Sequence, residues 1–463
     1  MTSQQVIELL KRQNGQVTSK IIKDLIEEHK TQKEKMLRLY TTYTGDVPIL
    51  KRSFEDQKKV NAKLNNDFRG DIVDLFTGYL FGYPIKYAIN SKNYSESEVL
   101  KQQGTIDEFI RRNTIDDLDS LTGKYASICG QAARLCYIDK YGKEKVMNIR
   151  PWEVVFIYDS TLDELQYAMI YYQIDTLDYE GKAVKRTKVE WYDAKNITFF
   201  VENEKGDYEL DFTNPPKAHL FDYIPVVCYL NDDTMQGDFE KVENLIDAYD
   251  RMLSDSQNEI EEFRLAYLAF YGVEPTPEVL AAAKLTGALG FPDKKSETFA
   301  EYLVKGLDSA AVFYENQKKT LNENIYKYAK AVDMKDEQFS GSAMSGESRK
   351  WKLVGLENKA IIKERKFTKA TRTMFTIIAS AWKKKNIKVV PEDIQLQFTR
   401  NLPVDLQYYA DVSGKLKGQV DEETRLSLLP FVKDVQQTIQ KMEEENAAYR
   451  VNFNEGSDGD IQD

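Results

Sequence analysis

Three carboxylates stand within four residues, at Asp116, Asp117 and Asp119. Clustered carboxylate oxygens are the ligands that Mg²⁺ and Ca²⁺ prefer, and a bound divalent ion could activate water for cleavage at nucleic-acid ends. The same residues lie at a predicted helix start, where the helix dipole favours acidic side chains without any metal. No second ligand cluster or catalytic base accompanies them in the sequence. We therefore predict no metal site, and we keep a metal-dependent enzyme acting on nucleic-acid ends as the alternative function.

A second stretch whose residues could carry out chemistry is the Gly/Ser-rich run from Ser340 to Gly346. A phosphate-binding loop of this kind needs a Lys after its second glycine, and this chain has Glu347 there instead. Ser345 has no partner for nucleophilic chemistry, because the two histidines, His29 and His219, lie in no recognisable catalytic motif. The sequence therefore predicts neither an enzyme nor a bound cofactor. Its small residues predict a mobile loop between two helices.

The composition predicts a folded, soluble chain of several domains. The 463 residues are 42% hydrophobic and 30% charged, and the formal net charge is -11. That charge argues against a protein that grips nucleic acid over a broad basic surface, but not against one that lets nucleic acid slide. Three cysteines without a C-x-x-C pair predict free or buried thiols in a reducing compartment. We find no signal peptide and no apolar run that could span a membrane, so we expect a cytosolic protein where it is made.

The elements that would position these stretches change character along the chain. Residues 1–64 are rich in Lys and Glu and predict two amphipathic helices split near Gly15, forming a solvated helical arm. Helical periods follow at residues 68–82 and 106–130. From residue 132 to 230 the hydrophobic period becomes two, with short aromatic and β-branched segments separated by turn residues. This region is typical of antiparallel strands and hairpins.

The centre of the chain predicts long helices. Apolar residues recur at helical spacing over 238–271, again over 310–332, and in a third helix over about 347–385. Between the first two lies a compact insert, 272–308, for which we predict a short helix over 277–286 and strands over 288–291 and 299–304. We predict a strand within 387–398 and a small helical domain after it, and the acidic end predicts disorder. The fold class is therefore α+β, mainly α.

The order of these motifs resembles the portal proteins of tailed bacteriophages, specifically the large siphophage portal family. The specific pieces are Gly78-Tyr79-Leu80-Phe81-Gly82-Tyr83-Pro84-Ile85 after Ile72-Val73-Asp74, Leu245-Ile246-Asp247-Ala248-Tyr249-Asp250, Leu307-Asp308-Ser309-Ala310-Ala311, Ser340 to Gly346, and Asn401-Leu402-Pro403. The resemblance implies a portal fold with the following parts: wing 1–237 (helical arm, then an α+β region), first stem helix 238–271, clip 272–308, second stem helix 309–334, tunnel loop 335–348, long wing helix and strand 349–402, crown 403–449, and a disordered acidic tail 450–463.

The resemblance also implies a function and a set of partners. Members of the family form a homo-oligomeric ring at one capsid vertex, twelve-fold in the virion, with thirteen the alternative number for recombinant rings. Double-stranded DNA passes through the channel, driven by the terminase large subunit, and is later ejected. Further implied partners are the head-completion adaptor and the major capsid and scaffolding proteins, without a membrane. The implied location is the virion, with the host cytoplasm during assembly, and a non-portal structural adaptor is the other alternative.

The resemblance places two sets of functional residues. The residues implied to face DNA in the tunnel loop are Lys335, Gln338, Phe339, Ser340, Gly341, Ser342, Ala343, Met344, Ser345 and Gly346. The residues implied to dock partners at the clip are Glu274, Pro275, Pro277, Asp293, Lys294 and Lys295. An acidic ring would repel phosphate and keep DNA from sticking, with Lys335 as a local exception. The expected mechanism is a passive conduit with moving loops.

Overall fold

The computed structural model describes most of the chain and divides it into two compact units, Met1–Arg400 and Asn401–Asp463. The described residues are 2–55, 59–90, 94–159, 161, 164–177, 181–263, 267–271, 276–278, 281, 299–303, 308–333, 353–401, 406–429, 432, 435–436 and 438–444. All statements below concern these residues.

Both units contain helices, and the first also contains antiparallel sheets. The helices are α1 (Ser3–Arg12), α2 (Ser19–Tyr43), α3 (Phe68–Phe81), α4 (Glu96–Asn113), α5 (Ile115–Cys129), α6 (Glu243–Phe263), α7 (Asp308–Ala329) and α8 (Val354–Lys384) in the first unit, with α9 (Leu406–Leu416) and α10 (Glu422–Ser427) in the second. The predicted α+β class is confirmed. Among the described helices, none is long and apolar enough to cross a membrane.

The strands form four antiparallel sheets. They are β1 (Lys86–Ile89), β2 (Gln131–Ile138), β3 (Glu144–Ile149), β4 (Val154–Tyr158), β5 (Leu165–Leu177), β6 (Ala183–Tyr192), β7 (Asn196–Glu202), β8 (Tyr208–Leu210), β9 (Lys217–Ala218), β10 (Val226–Leu230), β11 (Tyr267–Tyr271), β12 (Phe299–Leu303) and β13 (Ile394–Gln397). The largest has the order β4-β5-β6-β7-β8, with β9 also paired to β7; the others are β10-β2-β3, β1-β13 and β11-β12. The predicted antiparallel region at 132–230 is confirmed.

The N-terminal helices are packed rather than solvated. Thr2 caps α1 in a reciprocal capping box with Gln5, and Thr18 caps α2. Their apolar stripes cover one face of the large sheet, where Leu10 and Ile22 join a buried cluster with Trp191. The expectation of a solvated arm was therefore wrong, because only the outer face of each helix carries the charge.

The helix predicted over 238–271 is shorter than its periodicity indicates. A 3-10 turn, Glu240–Val242, precedes α6, and α6 ends at Phe263. Tyr267–Tyr271 instead forms β11, which pairs with β12 in the register Tyr267 with Leu303. The apolar spacing continued through Tyr267 by coincidence, while the aromatic-rich segment Tyr-Leu-Ala-Phe-Tyr favours a strand. The predicted strand at 299–304 is confirmed, but the strand at 288–291 and most of the helix at 277–286 lie outside the described residues.

The other two central helices match their predictions where the structure describes them, as α7 and α8. α8 contributes many side chains to the main hydrophobic core. Phe375 and Trp382 on α8 pack against Phe109 of α4, with ring centroids 5.8 and 5.6 Å from that ring. Cys129, Cys136 and Cys228 are free thiols, as predicted. Burial raises the pKa of each to about 12, which keeps them protonated and unreactive at neutral pH.

Candidate functional site at the junction of three helices

Most of the functional residues that the sequence predicted fall outside the described part of the chain. This applies to Lys335 and the residues from Gln338 to Gly346 at the predicted tunnel loop, and to Glu274, Pro275, Asp293, Lys294 and Lys295 at the predicted clip. Pro277 is described and is exposed in a short helical turn. The structure does describe the elements on either side of both segments.

The helices α6 and α7 form an antiparallel pair. Phe68 on α3 packs on Tyr249 near the start of α6 and on Tyr326 near the end of α7, with centroid distances of 4.9 and 5.8 Å. At the other end, burial and a hydrogen bond to Glu259 raise the pKa of Tyr314. Along the chain, the β11-β12 ladder lies between α6 and α7, and its two strands flank residues 272–298 in sequence.

The near end of this pair meets α8 at a buried carboxylate, Asp238. Lys359 of α8 approaches its Oδ1 at 3.0 Å, and Lys363, one turn further on, pairs with its Oδ2. Asn231 donates to Oδ1 at 2.9 Å, and the Ser127 hydroxyl donates to Oδ2. We call these five residues the junction. It joins the entry to α6, the end of α5 and the first half of α8.

Lys359 also connects the junction to the end of α7. Its ammonium group donates to the backbone carbonyl of Ala329 at 3.1 Å, where the carbonyls of a helix end need donors. Asn322 closes the following turn by donating to Asp333 at 3.0 Å. On the α8 side, Leu353 is buried. The chain therefore leaves α7 and enters α8 at two fixed points on either side of residues 334–352.

The electrostatics of the junction favour an ionised carboxylate. Burial raises the pKa of Asp238, but the attraction of Lys363 and Lys359 and the hydrogen bonds from Lys363 and Ser127 outweigh it and bring the pKa down to about 2. Burial, with the nearby charge of Lys359, lowers the pKa of Lys363. Both ammonium groups also lie over the ring of Phe76, 4.6 and 4.7 Å from its centroid. Two lysines face one carboxylate, and the aromatic face of Phe76 partly stabilises the excess positive charge.

Two glycines allow the chain to approach α5 closely enough to place Asp238. The Asp238 amide donates to the Ser127 carbonyl at 2.7 Å, and the Asn231 amide donates to the Gly130 carbonyl at 2.9 Å. A Cβ at Gly237 would come within 2.3 Å of the Ile128 carbonyl oxygen, and one at Gly130 within 2.1 Å of that of Met235. Both contacts are with backbone, which cannot rotate away.

Gly237→Ala is accordingly expected to lower the free energy of unfolding by about 1–3 kcal/mol, because the backbone of the junction must shift to admit the methyl group. Urea unfolding of the full chain at one protein concentration measures the change. The matched control is Gly104→Ala, at an exposed position inside α4 with no atom within 4 Å of the added Cβ. That change is expected to raise stability by about 0.5–1 kcal/mol. Equal stability of the two variants would contradict the steric argument.

An extended segment runs antiparallel along α6 and is bonded to it at every second residue. The backbone amides of Ala62, Leu64 and Asn66 donate to the side chains of Asn258, Ser254 and Asp250, at 2.7, 3.0 and 2.9 Å. The acceptors are spaced four residues apart on one face of the helix, and the donors two residues apart on the extended segment. We call residues 59–67 the strap.

Two further ion-pair groups fix the neighbouring helices. Arg69 of α3, itself buried, donates to Asp247 of α6 at 2.6 Å. Arg400 donates to Glu357 and Glu364 of α8 at 2.9 and 2.7 Å. α3 and the end of the first unit are thereby linked to α6 and α8 respectively.

The three aspartates of α5 have different environments, and the carboxylate of Asp119 already has hydrogen-bond partners within the protein. Its carboxylate accepts from Arg134 at 3.0 Å and from the Tyr87 hydroxyl, and Arg134 is fully buried against Thr122 and Asn148. Asp116 and Asp117 are exposed in the first helical turn, as the dipole argument predicts. Among the residues that the structure describes, no group of three or more metal-ligating side chains is gathered.

The junction was missed at the sequence level, although one signal was present. Leu356, Ala360, Phe367, Ala370 and Met374 form the apolar stripe of α8, and Lys363 falls on the same stripe. A lysine within a buried stripe requires a carboxylate partner. Nothing in the sequence indicates which carboxylate, because Asp238 lies 125 residues earlier.

Comparison with known proteins identifies the class. Residues 22–450 match the model of the family described as phage portal protein, SPP1 Gp6-like. The chain therefore belongs to this family of phage portal proteins. It is similar to the portal protein of Bacillus phage SPP1, with 24% identity covering 96% of this chain and 90% of that protein. It is also similar to the portal protein of Clostridium phage phiCD119, with 25% identity covering 90% and 93% of the two chains. The resemblance drawn from the sequence is confirmed.

Proposed function

We propose that copies of this chain form a closed ring around a channel at one vertex of a phage capsid, through which double-stranded DNA is packaged and later ejected. The observation that carries the proposal is the family match, which extends over residues 22–450 and so includes almost every element described above. Twelve subunits in the virion is the proposed number. The chain carries out no catalysis in this proposal, and the ion pairs of the junction and of α5 serve structure.

The parts of the portal are assigned along the chain as follows. Residues 1–237 and 349–402 form the wing, α6 and α7 lie in the stem, 272–308 form the clip, 335–348 the tunnel loop and 403–449 the crown. The clip residues Pro277 and Lys294 belong to the surface that meets the terminase large subunit and later the head-completion adaptor. Capsid and scaffolding proteins are the other proposed partners, in the host cytoplasm during assembly and then in the virion.

The junction gives this assignment a mechanical basis. A tunnel loop that contacts moving DNA must transmit force to the body of the ring without unfolding its own ends. Lys359 holds the Ala329 carbonyl at the end of α7, and the same side chain pairs with Asp238 before α6. Both stem helices therefore attach to α8 at one buried cluster. The net charge of -11 per subunit disfavours tight phosphate binding along the channel.

Negative-stain electron microscopy of the purified full chain tests the ring. Closed rings with a central hole are the expected result. A monodisperse monomer at micromolar concentration would contradict the proposal. Open or small assemblies would favour a structural adaptor of another kind.

Deleting residues 338–345 is expected to leave rings intact and to impair DNA packaging or retention, because the predicted tunnel loop would no longer reach the DNA. Packaged DNA per capsid, measured by nuclease protection in a phage complementation assay, is the readout. A deletion of the same length at the C-terminus, residues 456–463, is the matched control and should package normally. Normal packaging by both deletions would contradict the loop assignment while leaving the ring proposal standing.

A further inference from the structure

The outer face of α8 carries positive charges that nothing in the described chain neutralises. Arg365, Lys369 and Arg372 are exposed and lie at successive steps of four and three, so they share one face of the helix. No hydrogen bond or ion pair joins these three side chains to any other described residue. The neighbouring Glu364 also lines this face, and it shares the guanidinium of Arg400, 2.7 Å away, with Glu357. In a chain of net charge -11, this basic face is an exception.

The same face borders three recesses that share lining residues. Three adjoining recesses of about 480, 450 and 470 Å³ follow α8, and Thr373 lines all three. The first two share the apolar residues Leu165 and Val226, which face α8 from β5 and β10. We call this surface, with its three cations, the α8 groove.

Exposed side chains in the first two recesses are of the kinds that protein interfaces use. Met235 lines the first recess and is 45% exposed, and Tyr223 lines the second and is 53% exposed. Tyr, Met and Arg are enriched at protein interfaces relative to the rest of the surface. An apolar floor flanked by Arg and Tyr fits a protein partner better than a phosphate backbone, which needs no apolar recess.

One buried polar atom in the first recess, the Nε2 of His29, has no hydrogen-bond partner in the described chain. His29 is only 6% exposed, its Nδ1 lies 2.8 Å from the Tyr171 hydroxyl, and its Nε2 is buried without a hydrogen bond. Burial, with the charge of Lys33, lowers the pKa of His29 to about 4, so the imidazole is neutral at neutral pH. The Nε2 of the neutral ring can donate or accept one further hydrogen bond, depending on the tautomer.

We propose that the α8 groove is the surface on which the acidic exterior of a second copy of this chain docks, forming the subunit contact of the ring. This inference rests on the proposed function. A closed ring is built from a heterologous contact, in which one surface of a subunit meets a different surface of the next. Each copy offers the groove as its basic surface, and a chain of net charge -11 offers acidic surface elsewhere. The charge complementarity selects a second copy as the occupant.

Charge reversal of the groove tests the proposal. The variant Arg365→Glu/Lys369→Glu/Arg372→Glu is expected to need at least about tenfold more protein for half-assembly into rings, because like charges then face each other across the contact. Its unassembled chain should keep the circular dichroism spectrum and thermal unfolding of the wild type, since the three side chains are exposed. The matched control, Lys20→Glu/Lys101→Glu/Lys241→Glu, reverses three exposed lysines elsewhere and should assemble like the wild type.

The outcomes separate the two proposals. Rings formed equally well by the groove variant and the wild type would overturn the groove inference and leave the portal function intact. Normal rings that lose DNA retention would also overturn it, in favour of DNA as the occupant. Absence of rings in the wild type would contradict the portal function itself.

A second measurement uses only the wild-type chain. In wild-type rings, acetylation of Lys369 by an amine-reactive ester should be about tenfold slower or more than acetylation of Lys101, as read by peptide mass spectrometry, because a buried contact excludes the reagent. Equal rates at the two lysines would overturn the inference.

Discussion

Asp238→Asn is expected to lower the free energy of unfolding by about 3–5 kcal/mol, which is the usual cost of breaking a buried ion pair by removing one partner. The Asn side chain keeps the shape and one acceptor, but it leaves Lys359 and Lys363 beside each other without a counter-charge. Lys363 is 8% exposed and cannot regain water without opening the junction. Because the junction also fixes Ala329, the destabilisation should extend to the end of α7. Urea unfolding of the full chain at constant protein concentration is the measurement.

The control for this prediction is a pair of similar chemistry at the surface. Asp233 pairs with Lys366, one turn after Lys363, and the Asp233 side chain is 79% exposed. Asp233→Asn should change the free energy of unfolding by no more than about 0.5 kcal/mol. A small effect at both positions would show that the junction does not stabilise the fold.

The Asp238 prediction carries a defined pH dependence. The pKa of Asp238 in the folded chain is about 2, below its ordinary value of 3.8, so its ionisation favours the folded state. Its contribution is fully present above about pH 4 and is lost as the pH falls through 2. The stability difference between the wild type and Asp238→Asn should therefore be constant at neutral pH and shrink as the pH approaches 2. A difference that instead grows towards acid would contradict the assignment.

Arg134→Met should have an effect of similar size, about 3–5 kcal/mol, because it leaves the Asp119 carboxylate buried without its cation. Asp119 is 2% exposed, and its remaining described partner is the Tyr87 hydroxyl. Burial raises the pKa of Asp119 above its ordinary value even beside Arg134, which is the strongest opposing influence. The Arg134→Met chain should therefore take up a proton at Asp119 on folding. The measurement is urea unfolding at neutral and acidic pH.

A double-mutant cycle separates the ion pair from general packing damage. Asp119→Asn combined with Arg134→Met removes both charges, so the double variant should be more stable than the sum of the two single losses predicts, by about 1–3 kcal/mol. Asp117→Asn, at an exposed position two residues away, is the control and should be nearly neutral. Strict additivity would mean that the two side chains do not act as a pair.

The sequence was sufficient for the fold class and the family, but not for the site. Hydrophobic periods of two and of three to four depend on near neighbours, so the strand region at 132–230 and helices α7 and α8 were predicted well. The order of motifs such as Leu245 to Asp250 carried the resemblance. The end of α6 was placed too late because Tyr267 fits both a helical period and a strand.

The junction and the strap could not be predicted because they depend on tertiary proximity. A lysine in an apolar stripe indicates that a partner exists, but Lys363 is joined to Asp238 across 125 residues. The strap is less visible still, since its donors are backbone amides and carry no residue preference. Burial of α1 and α2 was also missed, because charged residues on the outer face dominated the composition of that segment.

The strap has a consequence for the order in which the chain can fold. Ala62 bonds to Asn258 and Asp238 to Lys363, so the N-terminal part cannot reach its final state until much later segments exist. At a synthesis rate of roughly 5–20 residues per second, the stretch of roughly 100 residues from Asn258 to Lys363 takes about 5–20 s to emerge. Contacts of such long sequence separation also slow folding. A truncated chain that ends before α8 would lack both lysines of the junction and the three cations of the α8 groove, so it would leave Asp238 without a counter-charge.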